Sequence, residues 1–137
     1  FFTVHMGWWN DEEEPFADQW KCIQERLKNP EYREGNIWLM GDFNSQDDVR
    51  GEGYDLVLKS GWKDTYLLAE EKDDGITVAE EIDGWREADG RSKAAKNEKR
   101  LDYIFCNTQA DVRTSNVICN GKNAPVVSDH YGVVVTV

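Results

Sequence analysis

Apolar positions change their period several times along this 137-residue chain, and each change predicts an element. The run from Phe1 to His5 predicts a strand, followed by a loop through Gly7, Trp8, Trp9 and the acidic stretch Asp11 to Glu14. Phe16, Trp20, Ile23 and Leu27 then recur at helical spacing, which draws one apolar stripe along a helix. Pro15 suits the first position of that helix, and Asn29-Pro30 should end it. Asn36 to Gly41 is apolar throughout, as expected of a strand buried on both faces. Tyr54 to Ser60 predicts a short helix stopped by Gly61.

Beyond Gly61 the pattern weakens. Trp62 to Leu68 fits a helix or an irregular segment, and Ile76 to Ile82 alternates as a strand would. Asp83-Gly84 and Asp89-Gly90 are turn signals on either side of Trp85 and Arg86. Three further strands are expected at Leu101 to Phe105, Val112 to Ile118 and Gly132 to Val137. The order is strand, helix, strand, helix, then mostly strands, which is an α/β layered protein. No repeat, low-complexity tract or linker rich in Pro, Gly or Ser divides it, so residues 1–137 read as one domain unit.

Composition narrows the class. A 39% hydrophobic and 12% aromatic content is enough for a core, and no run approaches the length of a membrane span. With no secretory leader visible, the expected location is the cytoplasm. Cys22, Cys106 and Cys119 are widely spaced, which favours reduced thiols over a disulfide framework or a zinc site. A formal net charge of −11 argues against a broad nucleic-acid surface and favours a compact substrate. Residues 91–100 run against that balance, with Arg91, Lys93, Lys96, Lys99 and Arg100 beside a single acid, Glu98. Such a loop can meet a phosphate, or it can simply be solvated.

Short polar groups stand at four strand ends: His5; Asp42 with Asn44; Asp102; and Asp129 with His130. Sites are commonly built on loops carried by a rigid sheet. Carboxylates hold Mg²⁺ or Mn²⁺ and can orient or deprotonate water, and histidine can donate a proton or stabilise developing charge. Taken singly, Asp42-Phe43-Asn44 and Ser128-Asp129-His130 also fit ordinary turns, in which Asp and Asn bond their own backbone.

Taken together, Gly41-Asp42-Phe43-Asn44, Arg100-Leu101-Asp102-Tyr103-Ile104-Phe105 and Ser128-Asp129-His130-Tyr131-Gly132-Val133 resemble the signatures of the endonuclease/exonuclease/phosphatase superfamily. The likeness runs along the whole chain. It implies the C-terminal half of a four-layered α/β sandwich of the deoxyribonuclease I type, with a mostly antiparallel sheet and helices on one face. It implies metal-dependent phosphoester hydrolysis by in-line attack of water. Asp42 then corresponds to the residue that handles the attacking water, Asn44 to its partner on the scissile phosphate, and Asp129 to a metal ligand for Mg²⁺ or Mn²⁺. His130 corresponds to the histidine that stabilises the pentacovalent phosphorane, Asp102 to the carboxylate that fixes its tautomer, and His5 to a first catalytic histidine.

The family's early Asn or Asp and its Glu metal ligand have no counterpart here, and the chain starts at Phe1 without an initiator methionine. It is therefore expected to need the N-terminal half of the same domain as its partner and to be inactive alone. Trp8, Trp9, Trp85 and Arg86 flank the expected site, where indole faces suit a sugar ring and arginine a phosphate. Residues 60–87 resemble the sugar-phosphate phosphatase branch of the family. Expected substrates are thus small phosphorylated sugars. An endonuclease acting on DNA, such as an abasic-site repair nuclease, and a non-catalytic binding module are the alternatives.

Overall fold

A computed structural model describes residues 1–32, 35–79 and 98–137. The strand expected over Ile76 to Ile82 falls partly outside them, as do Trp85, Arg86, Arg91, Lys93 and Lys96. One sheet has the order β1-β2-β5-β3, built from β1 (Phe2–His5), β2 (Trp38–Asp42), β5 (Asp102–Cys106) and the two-residue β3 (Lys63–Asp64). β1 runs parallel to β2, and β2 and β3 both pair antiparallel with β5. A second sheet has the order β4-β6-β7, from β4 (Glu71–Lys72), β6 (Thr114–Ile118) and β7 (Gly132–Thr136). Antiparallel pairing dominates, as expected, but the strands divide between two sheets.

The stripe on α1 (Phe16–Leu27) does what its spacing predicts. Phe16 and Trp20 are buried, with Ile23 and Leu27 half-buried behind them. Pro15 stands one position earlier than expected, as the cap, and its φ of −61° is already set for the turn that follows. With α2 (Gly53–Lys59), which contributes Tyr54 and Val57, α1 covers one face of the first sheet. Leu39, Phe43, Tyr103 and Phe105 fill the layer between them, the last three in edge-on or stacked ring pairs at 4.9–5.8 Å. Each such side chain removed from water contributes about 1.5–3 kcal/mol before the cost of ordering it. Trp62 joins this core, whereas the segment after it is β3 followed by the one-turn α3 (Thr65–Leu68), which Asp64 caps by accepting from the Tyr66 N–H.

β2 departs from the expectation of burial on both faces. Only Leu39, on the helix side, is fully buried, and Trp38 and Met40 on the other side are half-exposed. That second face is where alternation sends the polar ends. Register aligns His5 with Asp42 and Asp42 with Asp102, so period-two geometry puts the three in one row on the face away from α1 and α2.

Gly41 makes this row possible. Its φ is +133°, and a Cβ there would lie 2.0 Å from the Val4 carbonyl oxygen of the adjoining strand. Gly41→Ala should therefore destabilise the fold by about 2 kcal/mol or more, through strain and separation of β1 from β2. A urea midpoint within experimental error of the parent chain would show that the β1–β2 contact tolerates a side chain.

Candidate active site

Asp42 divides its carboxylate between two tasks. Oδ1 accepts the Asn44 N–H at 2.8 Å, closing a tight turn that holds Asn44 at φ +43°, a conformation Asn tolerates better than most residues. Oδ2 faces His5 Nε2 at 3.4 Å and His130 Nδ1 at 3.9 Å. The turn thus occupies one oxygen of Asp42 and leaves the other turned toward the two histidines. Asn44 is fixed in turn by an N–H of its amide donating to the Met6 carbonyl at 2.7 Å.

Next to it, His130 Nδ1 lies 2.8 Å from Asp102 Oδ2. An ionised carboxylate only accepts, so the neutral ring carries its proton on Nδ1 and keeps its lone pair on Nε2. Asp42, Asp102 and His130 present atoms that all lie within 4.8 Å of one another. Partial burial pushes the Asp42 carboxyl above its ordinary value; the Asn44 N–H works against this, and the like charge of Asp102 adds to it. His5 closes the row loosely, since its side chain is 77% exposed.

Asp129 stands apart from that cluster. It is exposed, and the Ser128 hydroxyl donates to its Oδ1 at 2.9 Å, which holds its carboxyl below the ordinary value. Ser128 Oγ also accepts the His130 N–H at 3.3 Å, so one hydroxyl shapes the turn that presents both residues. As a hard oxygen donor that stays ionised, Asp129 suits a magnesium-type ion. The ring nitrogen facing Asp42 and Asp102 already has a carboxylate partner, so that trio is better matched to moving protons than to enclosing a metal.

Trp8 and Trp9 are half-buried in the loop after β1, with the Trp9 ring 6.4 Å from Phe16 against the core. Trp85 and Arg86 lie outside the described residues. Arg100, the last base of the basic stretch, is not available to a phosphate: it is buried, paired with Asp64 at 2.7 Å and with Asp47 at 3.0 Å. Two hydroxyls near this cluster, those of Ser128 and Thr77, carry no signal of their own in the sequence, where Ser128 reads as a turn former. Thr77 falls inside the alternating run Ile76 to Ile82, and alternation does not mark a hydroxyl that bonds a distant backbone.

No protein-family model matches the chain, and no curated protein matches it. Solved structures do. An endonuclease/exonuclease/phosphatase family protein from Leptotrichia buccalis C-1013-b is 39% identical over 99% of this chain and 46% of its own, with a TM-score of 0.78. A mannosyl-6-phosphatase from Bacteroides thetaiotaomicron VPI-5482 is 20% identical over 98% of this chain and 49% of its own, at a TM-score of 0.65. A conserved protein of unknown function from Enterococcus faecalis V583 is 20% identical over 98% of this chain and 48% of its own, at 0.64. These likenesses define the class as the mixed α/β fold of endonuclease/exonuclease/phosphatase proteins, here with two sheets and a few helices. The chain belongs to the endonuclease/exonuclease/phosphatase superfamily and corresponds to its C-terminal half. It spans about half the length of the structures it matches. Among the described residues, no helix is long and apolar enough to cross a membrane.

Proposed function

We propose that this chain supplies the water-handling and proton-handling half of a metal-dependent phosphoester hydrolase, a phosphatase acting on a small phosphorylated sugar. The observation that carries the proposal is the pairing of His130 Nδ1 with Asp102 at 2.8 Å while Oδ2 of Asp42 faces the same ring nitrogen at 3.9 Å. Two carboxylates and an imidazole so arranged separate the acid and base tasks of an in-line displacement.

In this reading Asp42 Oδ2 orients the attacking water and takes its proton. Asn44, locked by its turn, steadies a phosphoryl oxygen. His130, held by Asp102, directs Nε2 at the phosphorus centre; when that nitrogen is protonated it neutralises the charge that builds there. His5 is placed to serve as an acid near the same oxygens. Asp129 would hold Mg²⁺ or Mn²⁺ together with ligands from an N-terminal half. A bound divalent ion of this kind neutralises phosphate charge as a Lewis acid.

Net acidity and the burial of Arg100 favour a small substrate over a nucleic acid, because a nucleic-acid surface would need cations free to meet phosphates. The sugar phosphatase among the structural neighbours is in keeping with this choice. Trp8, Trp9, Trp85 and Arg86 would line the sugar end, and a cytoplasmic setting fits the free thiols.

The deciding experiment is a phosphate-release screen with Mg²⁺ on a polypeptide extended upstream of Phe1 to the length of the matched structures. It covers sugar phosphates, inositol phosphates, phosphodiesters and plasmid DNA. Release from sugar phosphates is expected. Plasmid cleavage without release from any monoester would replace the phosphatase reading with a nuclease one.

A further inference from the structure

Thr77 is fully buried and bonds to both arms of the His130–Asp102 pair, although it is distant from each in sequence. Its Oγ1 accepts the backbone N–H of Leu101 at 3.0 Å and of Asp102 at 3.2 Å. Its carbonyl oxygen accepts the N–H of Tyr131, the residue after His130, at 2.8 Å. Its own N–H donates to the Lys99 carbonyl at 2.9 Å, and the next residue, Val78, exchanges two backbone bonds with Lys99. One residue therefore ties the start of β5, which carries Asp102, to the turn before β7, which carries His130. The two belong to different sheets, and no strand pairing joins β5 to β7.

We propose that Thr77 is a positioning residue that sets the separation and alignment of Asp102 and His130. This rests on the reading of that pair as the proton-handling unit of a phosphoester hydrolase, and it adds a residue to which no motif assigns a role. The hydroxyl matters because two converging N–H groups need a buried acceptor. A side chain of the same shape without oxygen leaves both unsatisfied and lets the start of β5 drift. A loss of alignment of this kind acts on the chemical step and leaves substrate binding nearly untouched.

The test compares Thr77→Val with Thr77→Ser. In the 137-residue chain, ¹⁵N spectra of the His130 ring should show the Nδ1–H tautomer in the parent and in Thr77→Ser. In Thr77→Val the ring should shift toward the Nε2–H form. In an extended, active polypeptide, Thr77→Val should lower kcat by about 100-fold while KM changes by less than about threefold, and Thr77→Ser should restore most of the rate. A parent-like ring tautomer with parent-like kcat in Thr77→Val would overturn the proposal. Should Thr77→Val fail to fold, hydrogen exchange of the parent decides: protected Leu101, Asp102 and Tyr131 amides support the clamp, and exchange at free-peptide rates overturns it. The ring measurement needs no substrate. Absence of turnover in the extended parent would therefore sink the hydrolase reading, while the spectra would still decide the role of Thr77.

Discussion

Asp42→Asn, introduced into an extended and active polypeptide, is expected to reduce turnover by about 10²–10⁴-fold, the usual worth of a positioned general base. The substitution is nearly isosteric. The Asn oxygen can still accept the Asn44 N–H that Oδ1 now holds at 2.8 Å, so the turn and the register of β1, β2 and β5 should survive. What disappears is the negative charge on the oxygen facing His5 and His130. Near-normal kcat would remove Asp42 from the role of water handler.

The same variant carries a second signature, in stability. Burial raises the Asp42 carboxyl above its unfolded value of 3.8. A raised carboxyl favours the folded state most when it is protonated, so its contribution is fully present below the unfolded value and is lost as pH rises through the folded one. Asn does not titrate. The parent should therefore lose ground to Asp42→Asn as pH rises from below the carboxylate range to neutrality, and urea midpoints of the two chains across that range read the difference. Activity and stability would move in opposite directions, as expected where a desolvated charge is retained for chemistry.

Much of the site was legible because its residues stand at strand ends, where a change from apolar run to polar group is visible without a structure. Register did the rest: once β1, β2 and β5 pair, His5, Asp42 and Asp102 must share a row. The α1 stripe was legible for the same reason of periodicity. β4 was not, because Glu71 and Lys72 are polar and exposed and become a strand only through backbone bonds to β6. The one-sided burial of β2 was also hidden, since an apolar run records what its residues can bury and not what covers them. Thr77 and Ser128 act through hydroxyls that bond backbone groups, and such bonds leave no periodic trace. Arg100 was misread for a related reason. A cluster of bases in sequence does not say which of them turns inward, and the three tyrosines and two aspartates that enclose Arg100 come from separate parts of the chain.

That enclosure underlies the largest stability effect expected of a single substitution. Arg100 is 5% exposed and its partner Asp64 1% exposed, 2.7 Å apart. Nε and Nη2 both donate to Asp47 Oδ2, and the guanidinium lies 4.5–5.6 Å from the ring centroids of Tyr66, Tyr103 and Tyr54. Burial opposes the charge, yet Asp64 and its neighbours more than offset this and hold the guanidinium firmly protonated. Asp64 also accepts the Tyr54 hydroxyl at 2.8 Å and caps α3, so its carboxylate cannot turn to water when Arg100 goes. Arg100→Met should therefore cost about 3–5 kcal/mol, most of it the penalty of an uncompensated buried charge and not the net worth of the pair. The double variant Arg100→Met with Asp64→Asn separates the two: it removes the stranded charge while leaving an oxygen to cap α3. It should recover a large part of the loss in urea denaturation. A single variant that costs less than about 1 kcal/mol would mean that water or a rearranged carboxylate reaches Asp64, and the buried pair would then be no anchor for the start of β5.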